Sequence, residues 1–519
     1  MDGNDCLHPT LRYLTDRLAS LLSIVQLEEH GHVVEPDAFR LKNLSAWAFE
    51  DHATVFDSLG SPSGRCNLHC KFCYEDGNPL RFGDDILSVE EAATRIRHFR
   101  PDAHRGLPAF HTRLYKEPFT NRHLLQILGM VRQADPDVEI PLTTNGSLFT
   151  PQLLDELAEL VPVNLCVSLN SSRPEGRREL TGDRNSAHSI RMIEALQARH
   201  LPFSGSIVAW PGMAEGELEE TVRFLDAHKA RMIRVSLPGF SRFFAPTPPF
   251  DTQTVWQEVL QTVLPLRADI ATPLLVLPSL YHTPALIPEI AGVIRSSPAA
   301  RAGVRYGDVI TAIEGVPVHS RAAAKQRLIS LHLQETISLV VKRDNGTIPV
   351  LLMETGARDE AYPWRPLGYA ASKSHPFGLV LTDDFDPAWI MDMLRRILAH
   401  QAKNVLIMTS TIMEPVVSLL LDSLPNLDAQ LGDAQLSLWV PEHRYWGGNI
   451  MMGDLYTCSD YLHAVQDFME RQGTRPDLLI LPGSFSPDGF TDLVGVPVST
   501  ISQRTGIPVE RIDCAYITL

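Results

Sequence analysis

Between residue 56 and about residue 272, short apolar runs alternate with amphipathic helical stretches, and this alternation constrains the 519-residue chain more than any other feature. The candidate strands are Phe110–Tyr115, Glu139–Thr143, Val163–Leu169, Phe203–Trp210 and Met232–Leu237. Helical patterns fall between them, for example at Pro151–Leu160, Ser186–Arg199 and Glu215–His228. Strands joined through helices pair in parallel, because the helix carries the chain back to the starting edge. The series predicts an α/β fold, a partial or complete (β/α) barrel of TIM type, with chemistry at the C-terminal ends of the strands.

The rest of the chain divides around this region. Residues 1–55 read as a mainly helical segment, and 56–272 as the barrel. A Pro-rich passage, Phe244–Phe250, marks a break before a helix around Thr254–Val263. Over residues 273–356 the pattern becomes β-rich: Leu274–Leu277, Ala291–Ile294, Asp308–Ile313, Thr336–Lys342 and Thr347–Met353 surround one helical stretch, Arg321–Leu331. A module of roughly eighty residues is large enough to fold alone. Residues 357–519 return to α/β, with strands at Asn404–Met408, Leu436–Val440 and Leu478–Leu481.

A net charge of -16 argues against a generic nucleic-acid binder, whose phosphate contacts need a basic surface. The N-terminal stretch is acidic where a signal peptide is basic. No run approaches the roughly eighteen apolar residues of a membrane span. The expectation is a soluble, cytoplasmic protein. Of seven cysteines, three fall within eight residues, a spacing that suits a metal site better than a disulfide framework.

Those three are Cys66, Cys70 and Cys73, in Cys66-Asn-Leu-His-Cys70-Lys-Phe-Cys73-Tyr74. Thiolates are soft anionic ligands, and three of them can hold three irons of a [4Fe–4S] cube. The fourth iron then has no cysteine here; either His69 takes it or it stays open for a chelating substrate. A structural zinc site is the alternative, and it would want a fourth Cys or His at suitable spacing.

The segment resembles the signature of the radical S-adenosylmethionine (SAM) superfamily, C-x3-C-x-aromatic-C. The resemblance runs over roughly residues 56–240. It implies a radical SAM barrel in which Cys66, Cys70 and Cys73 hold the cluster and the open iron takes the amino and carboxylate groups of SAM. Phe72 stands at the aromatic position that lies against the adenine. Glu117 and Pro118 match the end of the family's Gly-Gly-Glu-Pro, which grips the SAM amino group, whereas Tyr115 and Lys116 replace the glycines. Asn145, in Thr143-Thr144-Asn145-Gly146, matches a strand end of the family, although Asn-Gly is also a good turn pair. Ser168 and Asn170 stand where polar groups meet the ribose, or else cap the next turn. Val208 lies on the strand that flanks the adenine. An electron donor such as flavodoxin or ferredoxin is implied as well.

Gly292-Val293-Ile294-Arg295-Ser296-Ser297-Pro298-Ala299-Ala300-Arg301-Ala302-Gly303 and the following Gly307-Asp308-Val309-Ile310 resemble a PDZ domain of the bacterial type. Such domains add a peptide strand to a sheet edge and hold its C-terminal carboxylate, so a protein partner at this module is implied. The carboxylate loop is expected before Ile290, yet Ala285–Pro288 lacks glycines there. The last region, with Tyr445-Trp446-Gly447-Gly448-Asn449-Ile450, resembles an uncharacterised domain that accompanies these two in bacterial proteins. Three functions follow as expectations. One is a radical enzyme that abstracts hydrogen from an unidentified small molecule. Another is an enzyme of that kind acting on a peptide recruited by the PDZ-like module. The third is a non-catalytic or redox-sensing scaffold.

Overall fold

The computed structural model describes residues 27–29, 32–34, 40–41, 59, 62–73, 86–98, 116–136, 140–161, 163–244, 250–282, 286–331, 334–344, 346–353, 375–382, 389–423, 431–451, 453–486 and 490–512. The helix expected near the N-terminus and the strand expected at Phe110–Tyr115 lie outside these residues.

In the first 55 residues, the described elements are strands rather than helix. β1 (Leu27–Glu29), β2 (His32–Val34) and β3 (Arg40–Leu41) form an antiparallel sheet in the order β1-β2-β3. Glu29 pairs with His32, leaving only His30 and Gly31 between the paired ends, the length of a tight hairpin connection.

The barrel region folds into a five-stranded parallel sheet in chain order: β4 (Ile140–Thr144), β5 (Val163–Ser168), β6 (Phe203–Val208), β7 (Ile233–Ser236) and β8 (Leu274–Leu277). On β5, Val163, Leu165 and Val167 are buried, while Asn164, Cys166 and Ser168 are less so. The period of two sends the first set under the helices and the second toward the barrel interior. Helices Pro151–Glu159, Ser186–Ala198 and Glu217–Ala227 cover the outer face with Leu154, Leu157, Ile193, Leu196, Val222 and Leu225. Each such side chain contributes about 1.5–3 kcal/mol by leaving water.

Leu274–Leu277, expected as the first run of the β-rich module, instead extends this sheet, with Leu274 opposite Ile233. Leu274, Leu275 and Val276 are all buried, as suits a parallel strand covered on both faces.

The β-rich module consists of β9 (Gly292–Val293), β10 (Val309–Ile313), β11 (Val316–Pro317), β12 (Thr336–Arg343) and β13 (Gly346–Met353) around helix Arg321–Ser330. Four of the strands form an antiparallel sheet, β11-β10-β12-β13. Its expected end at residue 356 is too early. β14 (Leu379–Val380) pairs antiparallel with β9, and Phe377, Leu379 and Leu381 enter the same core as Ile310, Leu328 and Ile337. Gly378, at φ +79, allows that return: a Cβ there would lie 2.1 Å from the Ser297 Cβ. The strand beside β9 therefore comes from after the module's sheet.

Val380 also packs with Met232, Leu275, Ala291 and Ile294, which fastens β9 and β14 to the β7–β8 edge. His375 is buried at this junction; desolvation, with Arg231, Lys325 and Arg234 nearby, pushes its imidazole down to about 3.

The C-terminal region is a second parallel sheet: β15 (Asn404–Met408), β16 (Gln435–Trp439), β17 (Leu478–Pro482) and β18 (Val509–Ile512), ordered β16-β15-β17-β18. Val405 and Ile407 face one core while Leu406 and Met408 face another, so the sheet is covered on both sides. Among the described residues, no helix is long and apolar enough to cross a membrane.

Candidate functional site

The segment from Pro62 to Cys73 lies against the C-terminal ends of the barrel strands. Its backbone is held at both ends. The Lys116 and Glu117 N–H groups donate to Ser63 O and Arg65 O, and the His69 and Lys71 N–H groups donate to Thr181 O and Leu180 O. Cys66 is exposed, Cys70 and Cys73 are partly so, and none of the three is in a disulfide. The Leu68 N–H points at Cys66 Sγ at 3.5 Å, and Asn145 Nδ2 approaches the same sulfur at 3.8 Å. Among the described residues no three His, Cys, Asp or Glu side chains are gathered as for a single metal ion. Three thiols outside any disulfide on an accessible loop, with N–H donors beside one sulfur, fit the donor set of an iron–sulfur cluster.

Glu117 is 1% exposed, at the start of the turn Pro118–Thr120. Its Oε1 accepts from Thr144 Oγ1 at 2.7 Å and from Phe119 N at 3.2 Å, and its Oε2 accepts from Asn145 N at 2.7 Å. Burial raises its carboxyl from 4.5 to about 7, and the bonds from Asn145, Thr144 and Phe119 offset only part of that cost. Glu117 thereby joins the end of β4, through its carboxylate, to the cysteine loop, through its N–H to Arg65 O.

Asn145 follows the last residue of β4. Its side chain donates to Asn67 Oδ1 at 3.1 Å and accepts from Ser147 Oγ at 2.6 Å. Ser168 is the last residue of β5. The alternation that would put Ser168 and Asn170 on one face ends there, since Asn170 sits at φ +63 and is buried. Asn170 instead spans two strand ends: its Oδ1 accepts from Val208 N at 2.9 Å and its Nδ2 donates to Ser168 O at 3.2 Å. Val208 ends β6. Two residues on, the Trp210 ring lies 6.2 Å from that of Phe72. The edges of β4, β5 and β6 and the cysteine loop thus share one corner of the fold.

Sequence reasoning missed the group that ties these edges together. Arg177 is fully buried in helix Pro174–Thr181. Its Nη2 donates to Asn145 O at 2.6 Å, its Nη1 to Leu169 O at 2.7 Å and Ser168 O at 3.2 Å, and its Nε to Asp183 Oδ2 at 2.8 Å. The available signal was an arginine three residues before Leu180, on the helix face that turns inward.

Parts of this chain are similar to known proteins. A sequence model of the radical SAM superfamily matches residues 61–225, and one of the PDZ domain matches residues 289–343. The GTP 3',8-cyclase of Limosilactobacillus fermentum is 27% identical over 171 residues, covering 32% of this chain and 50% of that protein. Molybdenum cofactor biosynthesis protein 1 of Bos taurus is 28% identical over 188 residues, covering 33% of this chain and 29% of that protein. The chain spans about half the length or less of these two relatives. Among solved structures, Streptococcus suis SuiB bound to precursor peptide SuiA is similar at a TM-score of 0.36 and 16% identity, covering 53% of this chain and 63% of that one. The radical SAM superfamily uses a [4Fe–4S] cluster and SAM. This chain carries a radical SAM superfamily domain over residues 61–225, followed by a PDZ domain over residues 289–343.

Proposed function

We propose that the protein is a radical SAM enzyme that generates a 5′-deoxyadenosyl radical and removes a hydrogen atom from a substrate enclosed by the barrel. The observation that carries this reading is the loop with three cysteines, none in a disulfide, seated on the C-terminal edge of a parallel sheet beside Glu117 and Asn145. When bound, the cluster supplies the electron that splits SAM into methionine and the deoxyadenosyl group. The chain's own residues do the rest. Cys66, Cys70 and Cys73 ligate three irons, and Phe72 with Trp210 offers an aromatic face to the adenine. Glu117 and Asn145 line the side where the amino acid part of SAM would lie, and Ser168 offers a hydroxyl toward the ribose. The covered outer face keeps the helices' apolar layer dry. Protein purified without oxygen and reconstituted should hold about four irons per chain, and with a strong reductant it should release deoxyadenosine from SAM. Iron at that level with no deoxyadenosine above background would overturn the reading.

Glu117 gives SAM binding a pH dependence. Its carboxyl lies at about 7 in the fold, so it is largely protonated below that pH and ionised above it. An amino group held on the open iron has shed its ammonium proton and donates N–H bonds, which the ionised carboxylate accepts more strongly than the protonated form. Affinity should therefore rise as pH increases from 6 to 8, with proton release on binding near pH 7. Glu117→Gln should flatten that profile and weaken binding roughly tenfold, the equivalent of about 1.4 kcal/mol. Calorimetric titrations in buffers of different ionisation enthalpy measure both effects. A wild-type affinity that stays level between pH 6 and 8 contradicts the assignment.

A peptide is the finer reading of the substrate or partner, and the PDZ domain supports it. The burial of Pro376–Val380 speaks against strand addition at that edge. There the Gly378 and Leu379 N–H groups donate to His375 O and Pro376 O, which leaves them unavailable to a peptide carboxylate. A small-molecule substrate needs no such groove.

A further inference from the structure

Two loops meet across the chain. One follows β7, at the C-terminal edge of the barrel sheet, and carries Pro238, Phe240, Arg242 and Phe244. The other follows β16, at the C-terminal edge of the second sheet, and carries Tyr445 to Met451. The two parallel sheets therefore contact each other through the edges where such folds place their ligands.

Asn449 makes most of the contact. Its Oδ1 accepts from Phe240 N at 2.7 Å, and its Nδ2 donates to Pro238 O at 3.0 Å and to Thr252 Oγ1 at 3.2 Å. Its own N–H donates to Phe240 O at 3.1 Å, and Arg242 N donates to Trp446 O at 2.7 Å. Both functional ends of the amide are in use, so neither Asp nor Leu reproduces it. The approach is too close for any side chain on the preceding residue: a Cβ on Gly448, at φ +64, would lie 2.0 Å from Phe240 O. Met451 then packs against the barrel core.

The loop held in this way is the backing of an aromatic series. The Phe240 and Phe250 rings are 5.0 Å apart, Phe250 and Trp210 are 5.6 Å apart, and Phe244 stacks on Trp210 at 6.2 Å. Trp210 in turn meets Phe72, one residue before Cys73, at 6.2 Å. Each contact is an edge, tilted or stacked pair that fixes the angle of the next ring.

We infer that Asn449 is a positioning residue for the adenine side of the SAM pocket, so that the C-terminal domain is a working part of the radical SAM site rather than a separate appendage. The inference rests on the function proposed above. Removing the Asn449 amide frees the Pro238–Phe244 loop, lets Phe244 and Phe250 move from Trp210, and loosens the ring that Trp210 presents beside Phe72.

The test uses the full chain, reconstituted without oxygen, as wild type, Asn449→Ala and Asn449→Asp. Equilibrium dialysis with SAM in the absence of reductant should give about a tenfold weaker affinity for Asn449→Ala, with iron content unchanged. Asn449→Asp keeps an acceptor for Phe240 N–H but loses both donated bonds, so it should fall between the two. If Asn449→Ala does not fold, the Asp variant decides alone. Hydrogen exchange should show faster exchange at the Phe240 amide in the Ala variant. In deoxyadenosine formation, KM for SAM should rise about tenfold while kcat stays within about twofold, a split that general unfolding would not give. Wild-type affinity in a variant whose Phe240 amide has lost protection would overturn the inference. A wild-type protein that holds its iron yet binds no SAM would instead overturn the function on which it rests.

Discussion

Replacing any one of Cys66, Cys70 and Cys73 with alanine should remove nearly all iron from the reconstituted protein and bring deoxyadenosine formation to background. A cube held by three thiolates has no spare protein ligand. Two remaining thiolates leave two irons exposed to solvent, and the loss is of the whole group rather than a third of it. The expected result is a fall from about four irons per chain to below about one, with at least a hundredfold loss of deoxyadenosine, read by metal analysis and chromatography on the same samples. Cys458→Ala is the matched control. That thiol is buried between Val496 O and Pro497 O at 3.7 Å each, and burial pushes it well above the usual thiol range, so it is no ligand. Iron retained in all three loop variants would mean that the cluster is held elsewhere.

How far this site could be read from sequence depends on how local each signal is. The cysteine loop is fully local: eight positions carry the spacing and the aromatic residue. Strands β4 to β7 were legible within two residues because their buried positions alternate against polar ones, as at Val163, Leu165 and Val167. β8 was assigned to the wrong unit for a physical reason. Leu274–Leu277 is apolar on both faces, and such a run looks the same in a β-rich module as at the side of a covered parallel sheet. The reach of β14 was invisible for another. Leu379–Val380 joins β9 across more than eighty residues of chain, and nothing in the text of either strand names its partner.

The polar residues of the pocket show the same limit more sharply. The resemblance sets Asn170 either beside the ribose or as a cap on the next turn, and alternation along Val163–Asn170 would put it on the same face as Ser168. The chain leaves that alternation at Ser168 and turns through φ +63 at Asn170, whose amide then bonds the ends of β5 and β6. Nothing local in the sequence marks Asn449 and Gly448 as a contact, because the loop they meet lies 209 residues away in the chain. Helix and strand periods report which face is buried; they do not report what stands opposite a loop.

Arg177→Met should be the most destabilising single change in the barrel. The guanidinium is fully buried and gives four bonds to three carbonyls and one carboxylate, and Asp183 is itself only 2% exposed. Methionine fills much of the space but leaves Asp183 as an uncompensated buried charge with only Ser189 Oγ, at 2.6 Å, and Asn185 N, at 2.9 Å. Breaking a buried pair in this way costs about 3–5 kcal/mol. Native-state hydrogen exchange at the amides of β4 and β5 reports the loss without requiring the whole chain to unfold at once. The pH dependence separates charge from shape. Burial would raise the Asp183 carboxyl, but the bonds from Ser189 and Arg177 outweigh that and hold it below its ordinary 3.8. A lowered acid stabilises the fold above its unfolded value and stops doing so as pH falls through the folded one. The gap between wild type and Arg177→Met should therefore be full at pH 7 and narrow below about pH 4. The double change Arg177→Met with Asp183→Leu should recover part of the loss, because it removes the stranded charge while leaving Asn145 O, Ser168 O and Leu169 O without their donor. If the double variant is no more stable than the single one, the cost lies in those carbonyls, and the ends of β4 and β5 are held by hydrogen bonds rather than by the ion pair.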